Sequence, residues 1–267
     1  MRFLRPARNY SSAAHSNRKR RIPTNNPVSA IIPAYDECRT IGAVIAPLLG
    51  HPLIDEVIVV DDGSSDGTAE RARAAGATVV TLVGNGGKAK AMARGVRAAR
   101  NDILFFSDAD VIGLTPDMIT RIVEPVISGR YGMYVGIRGR KSYWVNRLLH
   151  FTPVLGGERA LTKSLWYHVP RAYKKNFQIE IALNFFAKHL GQHMGITVLH
   201  GLGQVTKEKK RGLWSGLWQR MRMIGDILLV SFRIYGVLQL KLWLARLIPS
   251  TATPSRRDAP VRPDPPA

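Results

Sequence analysis

An α/β fold built on a mainly parallel, doubly wound sheet is predicted by three observations. Short apolar runs alternate with stretches of helical period between residues 28 and 106. Each apolar run ends in a polar, turn-rich cluster. The last of these, Ser107-Asp108-Ala109-Asp110, sets two carboxylates one residue apart behind Ile103-Leu104-Phe105-Phe106. Such alternation marks βαβ units, whose crossovers leave neighbouring strands parallel.

The elements follow in order. Val28–Ile32 is mostly apolar, as a strand covered on both faces requires. Ile41, Val44, Ile45, Leu48 and Leu49 then recur at the spacing of one helical face. Val57–Val60 is a second buried strand. A helix starts near Thr68, with Asp66 as its cap, and stops near Gly76. Thr78–Val83 is a third strand. Ala89, Met92, Ala93 and Val96 mark the inner face of the next helix, and Lys90, Arg94 and Arg97 its solvated face. Ile103–Phe106 is the fourth strand.

Four polar clusters fall behind these strands: Tyr35-Asp36-Glu37, Asp61-Asp62-Gly63-Ser64, Asn85-Gly86-Gly87-Lys88 and Asp108-Ala109-Asp110. All sit at carboxyl ends of parallel strands, where open α/β sheets bind ligands. In extended chain Asp108 and Asp110 point the same way. Two close carboxylates repel unless a positive charge lies between them. A hard divalent cation carrying phosphate oxygens meets that need, and a simple polar turn is the alternative. Asp62 suits the N–H groups of a nucleobase or the hydroxyls of ribose. Gly86-Gly87-Lys88 opens a helix with free amides and a cation, which suits a diphosphate. The Gly-x4-Gly-Lys-Ser/Thr spacing of a P-loop is not present there. His189 and His193 stand at i, i+4 but lack the neighbouring Glu of a zinc protease, and read as ordinary surface histidines.

Composition bounds the rest. Of 267 residues 45% are hydrophobic, so most of the chain can fold around a core. The net charge of +20 fits a phosphorylated, anionic-lipid or nucleic-acid partner. Residues 1–27 carry seven basic residues and no acid, and read as a disordered basic arm; residues 249–267, with six prolines, read as a flexible tail. Cys38 is the single cysteine, in keeping with a reducing, cytosol-facing setting. Arg2, Arg5 and Arg8 interrupt any signal-peptide core, and no uninterrupted run of about 18 apolar residues suggests a transmembrane helix.

Taken together, the motifs resemble those of family 2 glycosyltransferases of the GT-A fold. The matching stretches are Val28–Glu37, Val59–Thr68, Gly86-Gly87-Lys88 and Ser107–Asp110. The likeness is strong over residues 28–125 and looser to about 212. It implies a GT-A glycosyltransferase domain over residues 28–212. It also implies that Pro33, Tyr35, Glu37 and Asp62 hold the nucleoside of a UDP- or GDP-linked sugar, with Lys88 near the diphosphate. Asp108 would touch ribose or metal, and Asp110 would ligate Mg²⁺ or Mn²⁺. Gly156–Leu161 resembles a loop before an acceptor-site helix, which brings in Glu158 and Arg159. Phe177–Asn184 resembles a segment whose acid meets sugar or acceptor. Glu180 is that acid, or else a surface acid on a helix. The chain departs from relatives at Asp36, where many have Asn, and at Ile112, where polyprenyl-phosphate mannosyltransferases often have Gln. Gln204 stands where some relatives supply a metal-binding His, with His200 nearby, so Gln204 is the expected third metal ligand.

Two acceptors compete. Residues 207–222 are basic with Trp214 and Trp218 interleaved, and residues 224–248 are largely apolar. That pattern fits an amphipathic segment, 213–248, lying on the cytosolic face of a membrane, and so a polyprenyl-phosphate or other anionic lipid acceptor clamped by Arg138, Arg140, Lys141 or Arg159. The alternative is a small soluble acceptor such as phosphoglycerate, for which Glu158 or Glu180 would serve as base. Zinc-finger and RNA-binding signatures are missing from the sequence, and a basic nucleic-acid- or membrane-binding protein on a catalytically inactive GT-A scaffold is the least favoured reading.

Overall fold

The computed structural model describes residues 26–138, 156–175, 178–204 and Gly236. Residues 1–25 of the basic arm, Arg140, Lys141, Phe177, the tail and, Gly236 apart, the amphipathic segment lie outside the described residues.

Nine strands and six α-helices follow one another from the start of the described chain. They are β1 (Val28–Ala34), α1 (Ile41–Ile45), β2 (Ile54–Asp61), α2 (Thr68–Ala74), β3 (Thr78–Thr81), α3 (Lys88–Ala98), β4 (Ile103–Phe106), β5 (Val111–Ile112), α4 (Pro116–Ile127), β6 (Met133–Arg138), β7 (Arg159–Thr162), α5 (Lys163–His168), α6 (Gln178–His189), β8 (Met194–Leu199) and β9 (Gly203–Gln204). A 3-10 turn, Arg171–Tyr173, joins α5 to α6.

The main sheet has seven strands in the order β3-β2-β1-β4-β7-β6-β8. From β3 to β4 every pair is parallel, as the βαβ rhythm requires. β7 then runs antiparallel to both β4 and β6, and β8 is parallel to β6. The short β5 and β9 pair antiparallel as a separate ribbon. Successive residues of a strand face opposite sides, so each strand feeds two cores. Ala30, Ile32, Val57, Val59 and Phe105 meet α1, α2 and α4 on one side. Ile31, Ile58, Val60, Leu104 and Phe106 meet α3, α5 and α6 on the other, where Phe106 stacks on Trp166.

Several boundaries differ from the sequence expectation, beginning with β1, which runs on past Ile32 to Ala34. The first helix ends at Ile45 rather than Leu49: Pro47 lacks an amide hydrogen and so cannot return the next helical bond, and the chain goes on in turns although Ala46 keeps helical backbone. β2 starts three residues before Val57, at Ile54, which pairs with Val28 ahead of a register shift. β3 stops at Thr81: Leu82 N–H still donates to Asp61 O, and the chain turns at Gly84, leaving Val83 fully exposed. Gly95 is where α3 meets the sheet; a Cβ there would lie 2.4 Å from Ile31 Cγ2.

Candidate active site at the carboxyl edge of the sheet

The loops behind β1 and β2 are stitched together. Asp36 N–H donates to Ser64 Oγ and Ser65 N–H to Asp36 Oδ1, at 2.9 and 3.0 Å. To do so Asp36 adopts φ 53°, left-handed backbone that Asp and Asn tolerate better than other side chains. Glu37 N–H donates to Thr68 Oγ1, and Cys38 N–H to Asp66 Oδ2. Asp66 also accepts from Thr68 N–H, so it caps α2 from one position before Gly67, which begins the helix in left-handed backbone. Tyr35 stands exposed on this rim and Pro33 is half-buried beneath it.

Asp62 is buried, and its two carboxylate oxygens accept from Gly86 N–H at 2.9 Å and Gly87 N–H at 2.7 Å. The structure therefore assigns these amides to the aspartate that anchors their loop. The sequence had offered the same amides to a diphosphate, and the loop's charge for that role comes from Lys88 at the start of α3.

Lys88 begins a chain of alternating charges. Its Nζ lies 2.8 Å from Asp108 Oδ1 and 3.0 Å from Glu180 Oε1. Asp108 Oδ2 lies 3.1 Å from Arg138 Nη2, and the same nitrogen lies 2.9 Å from Glu158 Oε1. Glu180 Oε2 lies 3.2 Å from Arg159 Nη2, whose guanidinium also donates to Gly156 O. Gln204 accepts from Arg138 and donates through Nε2 to Asp110 Oδ2 at 2.6 Å. The β5–β9 ribbon places it there by pairing Val111 with Gln204.

Topology explains the convergence. Asp108 and Asp110 follow β4, Lys88 opens the helix between β3 and β4, and Arg138 ends β6. Because β7 is reversed, its entry loop Gly156–Glu158 reaches the carboxyl end of β4. A Cβ on Gly157 would lie 2.0 Å from Asp108 Oδ2, so any larger residue there would push the Asp108 carboxylate out of its place. The expectation for Gly156–Leu161 is refined accordingly: the loop leads into a strand, and the helix comes after it. Glu180 is 5% exposed and doubly paired, which overturns its reading as a surface acid. Arg159, only 1% exposed, is its internal partner. His193 is exposed, while His189 stacks on Phe185.

The network sets the charges. Burial pushes the Asp108 carboxyl up, but Lys88 and then Arg138 outweigh it and hold the group below the usual carboxylate range. Burial likewise disfavours charge on Lys88, yet Glu180 and Asp108 raise its pKa above the ordinary lysine value. Glu158 is shifted upward, first by burial and then by the Asp108 charge, against the pull of Arg138.

Asp108, Asp110 and Gln204 offer hard oxygen donors around Arg138, the donor chemistry Mg²⁺ and Mn²⁺ prefer. Among the described residues there is no group of three His, Cys, Asp or Glu side chains able to cage a metal alone. The donor set therefore fits a cation whose remaining ligands are phosphate oxygens and water. Sequence reasoning undervalued Arg138, naming it only as one of several possible clamps. A charged residue ending the apolar run Met133–Ile137 was the available signal.

A family model described as "Glycosyl transferase family 2" matches residues 29–189. The chain belongs to glycosyl transferase family 2. Among curated relatives, glucosyl-3-phosphoglycerate synthase of Mycolicibacterium paratuberculosis is 41% identical over 112 residues, 38% of this chain and 34% of that protein. A 4,4'-diaponeurosporenoate glycosyltransferase of Staphylococcus aureus is 37% identical over 102 residues, 36% of this chain and 27% of that protein. The aligned stretch thus takes in about a third of these family 2 proteins or less. A crystal structure of glucosyl-3-phosphoglycerate synthase from Mycobacterium tuberculosis, in complex with Mn²⁺, UDP-glucose and phosphoglyceric acid, superposes with a TM-score of 0.63 at 26% identity, covering 78% of this chain and 80% of that one. Another crystal structure of that enzyme holds Mg²⁺ and UDP, and matches at 27% identity with a TM-score of 0.63 over 78% of this chain and 79% of that one. The family and the GT-A-like α/β fold expected from the motifs are borne out. Among the described residues no family 2 helix here is long and apolar enough to cross a membrane.

Proposed function

We infer that this chain transfers a sugar from a UDP-linked donor to a hydroxyl of a small phosphorylated acid, with Mg²⁺ or Mn²⁺ as cofactor. The observation that carries this reading is the convergence of Lys88, Asp108, Asp110, Arg138, Glu158, Glu180 and Gln204 at one sheet edge. Support also comes from the fold shared with a synthase whose crystal structure contains Mn²⁺, UDP-glucose and phosphoglyceric acid. The soluble acceptor is thereby favoured over the lipid phosphate, for which the main sequence argument lies in residues outside the described set.

In this reading Pro33, Tyr35 and Glu37 form the rim that takes the nucleoside, and Asp62 holds the Gly86-Gly87 loop beneath it. Asp108, Asp110 and Gln204 would hold the divalent cation, which supplies Lewis-acid stabilisation to the departing diphosphate. Lys88 adds a fixed positive charge on the same side. The acceptor hydroxyl forms the new glycosidic bond as the bond from sugar to diphosphate breaks. Glu180, held between Lys88 and Arg159, is the carboxylate assigned to the hydroxyl proton, because its side chain keeps a small exposed edge while that of Glu158 has none.

The test supplies UDP-glucose or GDP-glucose with Mn²⁺ and either 3-phosphoglycerate or polyprenyl phosphate in vesicles, and follows nucleotide release and product mass. Transfer from UDP-glucose to 3-phosphoglycerate, abolished by EDTA, is expected. Nucleotide release with neither acceptor glycosylated refutes the reading. The likeness to a 4,4'-diaponeurosporenoate glycosyltransferase and the Trp-bearing basic sequence of residues 207–222 favour a lipid acceptor as the second reading. Transfer only in the vesicle arm decides for it.

A further inference from the structure

Arg138 is where the divalent cation of the proposed reaction would have to act. Its guanidinium touches Asp108 Oδ2 at 3.1 Å and Gln204 Oε1. These are the oxygens that a metal seated between Asp108, Asp110 and Gln204 would use. Both Gln204 contacts hold the amide in one sense, with its oxygen toward Arg138 and its nitrogen donating to Asp110 Oδ2. The other oxygen of Asp108 is engaged by Lys88. A guanidinium stays charged in a protein, so it cannot be titrated away as a second cation arrives.

A second seat lies beside it. Glu158 is fully buried, and its Oε1 already accepts from Arg138 at 2.9 Å. Its Oε2 is equally buried and has no hydrogen-bond partner among the described residues. A buried carboxylate oxygen left unpaired is costly. The forked donors of arginine match both oxygens of a carboxylate at once. A small rotation of Arg138 toward Glu158 would satisfy Oε2 and free Asp108 Oδ2 and Gln204 Oε1 together.

We propose that Arg138 is a resident counter-cation of the metal site: it holds Asp108 and Gln204 until a divalent cation arrives, then moves onto both oxygens of Glu158. The inference rests on the metal-dependent reading above and adds a positioning role for two residues. Binding of metal without nucleotide is weak, because the two cations compete for the same oxygens. A nucleoside diphosphate, by adding negative charge, shifts the balance and makes metal and donor bind together.

The experiment measures free Mn²⁺ by electron paramagnetic resonance in titrations of the full chain, with and without UDP. Variants are Arg138→Gln, Arg138→Lys and the double variant Arg138→Gln/Glu158→Gln, which removes both charges and so avoids leaving Glu158 unpaired. Without UDP, Arg138→Gln and the double variant are expected to bind Mn²⁺ at least tenfold more tightly than the unaltered chain, and to lose most of its enhancement by UDP. Arg138→Lys keeps the charge and is expected to stay weak. If neutral variants that retain their circular-dichroism spectrum bind Mn²⁺ no more tightly than the unaltered chain, the inference fails while the metal-dependent reading stands. Should no protein bind Mn²⁺ even with UDP, both are overturned.

Discussion

Removing the Asp62 carboxylate should unfasten the loop that leads into α3. The side chain is buried, and each of its oxygens accepts one backbone amide, at 2.9 Å from Gly86 and 2.7 Å from Gly87. A hydrogen bond to a charged group is worth about 1.5–3 kcal/mol net. Water can reach the amide of exposed Gly86, and Gly87 N–H keeps Asn85 Oδ1 at 3.1 Å as a second acceptor, so the lower end applies to each. Asp62→Ala should therefore cost about 3 kcal/mol, most of it local. Asp62→Asn keeps one acceptor but turns an amide donor toward the second N–H, and should cost about 2 kcal/mol. With 1.4 kcal/mol per factor of ten, opening of the loop should rise by roughly 100-fold in Asp62→Ala. Hydrogen exchange of the Gly86 and Gly87 amides reads this directly, and the affinity for UDP should fall alongside. Unchanged exchange at these two amides in a folded Asp62→Ala protein would refute the anchoring argument.

Other expectations follow from the same network. Arg159→Ala leaves Glu180 and Gly156 O short of a buried partner, so urea denaturation should show a loss of about 3–5 kcal/mol; Arg159→Met/Glu180→Gln should lose less than the two single changes summed. Gly157→Ala drives a methyl group into Asp108 Oδ2 and should weaken Mn²⁺-dependent UDP binding at least tenfold by calorimetry, while the sheet remains folded. Asp108 is held below the ordinary carboxylate range, so its stabilising contribution is complete above about pH 4 and disappears as pH falls through the depressed value. The stability gap between the unaltered chain and Asp108→Asn should accordingly shrink on acidification below about pH 4. Glu158, shifted upward by burial, works with the opposite sign, and its contribution is lost as pH rises through its raised value.

The half of the fold that local patterning describes was legible in the sequence. Ile103–Phe106 is apolar throughout and buried throughout, and Ile41, Val44, Ile45 and Leu48 all point inward. Each is fixed by neighbours close in the chain. What spacing could not show is pairing at long range. Lys88 and Glu180 meet across 92 residues, and Gln204 and Asp110 across 94. Arg159 shows the same limit: its sequence context suggested a clamp for an acceptor phosphate, and only the fold reveals it buried against Glu180. Asp62 was picked out as a functional acid for its place behind β2, but its engagement with the Gly86 and Gly87 amides depends on a loop 24 residues on, which no local pattern announces.

The one strand that runs against its neighbours has an evolutionary reading. β7 divides the sheet into a first part, whose order follows from sequential crossovers, and a second part joined to it by the β4–β7 seam, by the packing of α5 and α6, and by side chains that reach back across it. Change beyond that seam is tolerated only where it spares Arg138, Glu180 and Gln204, which meet Asp108, Lys88 and Asp110. On the proposed reaction, a lineage could exchange what receives the sugar elsewhere in that part, as long as those three side chains stay and the returning chain remains slender where it brushes the acidic pair.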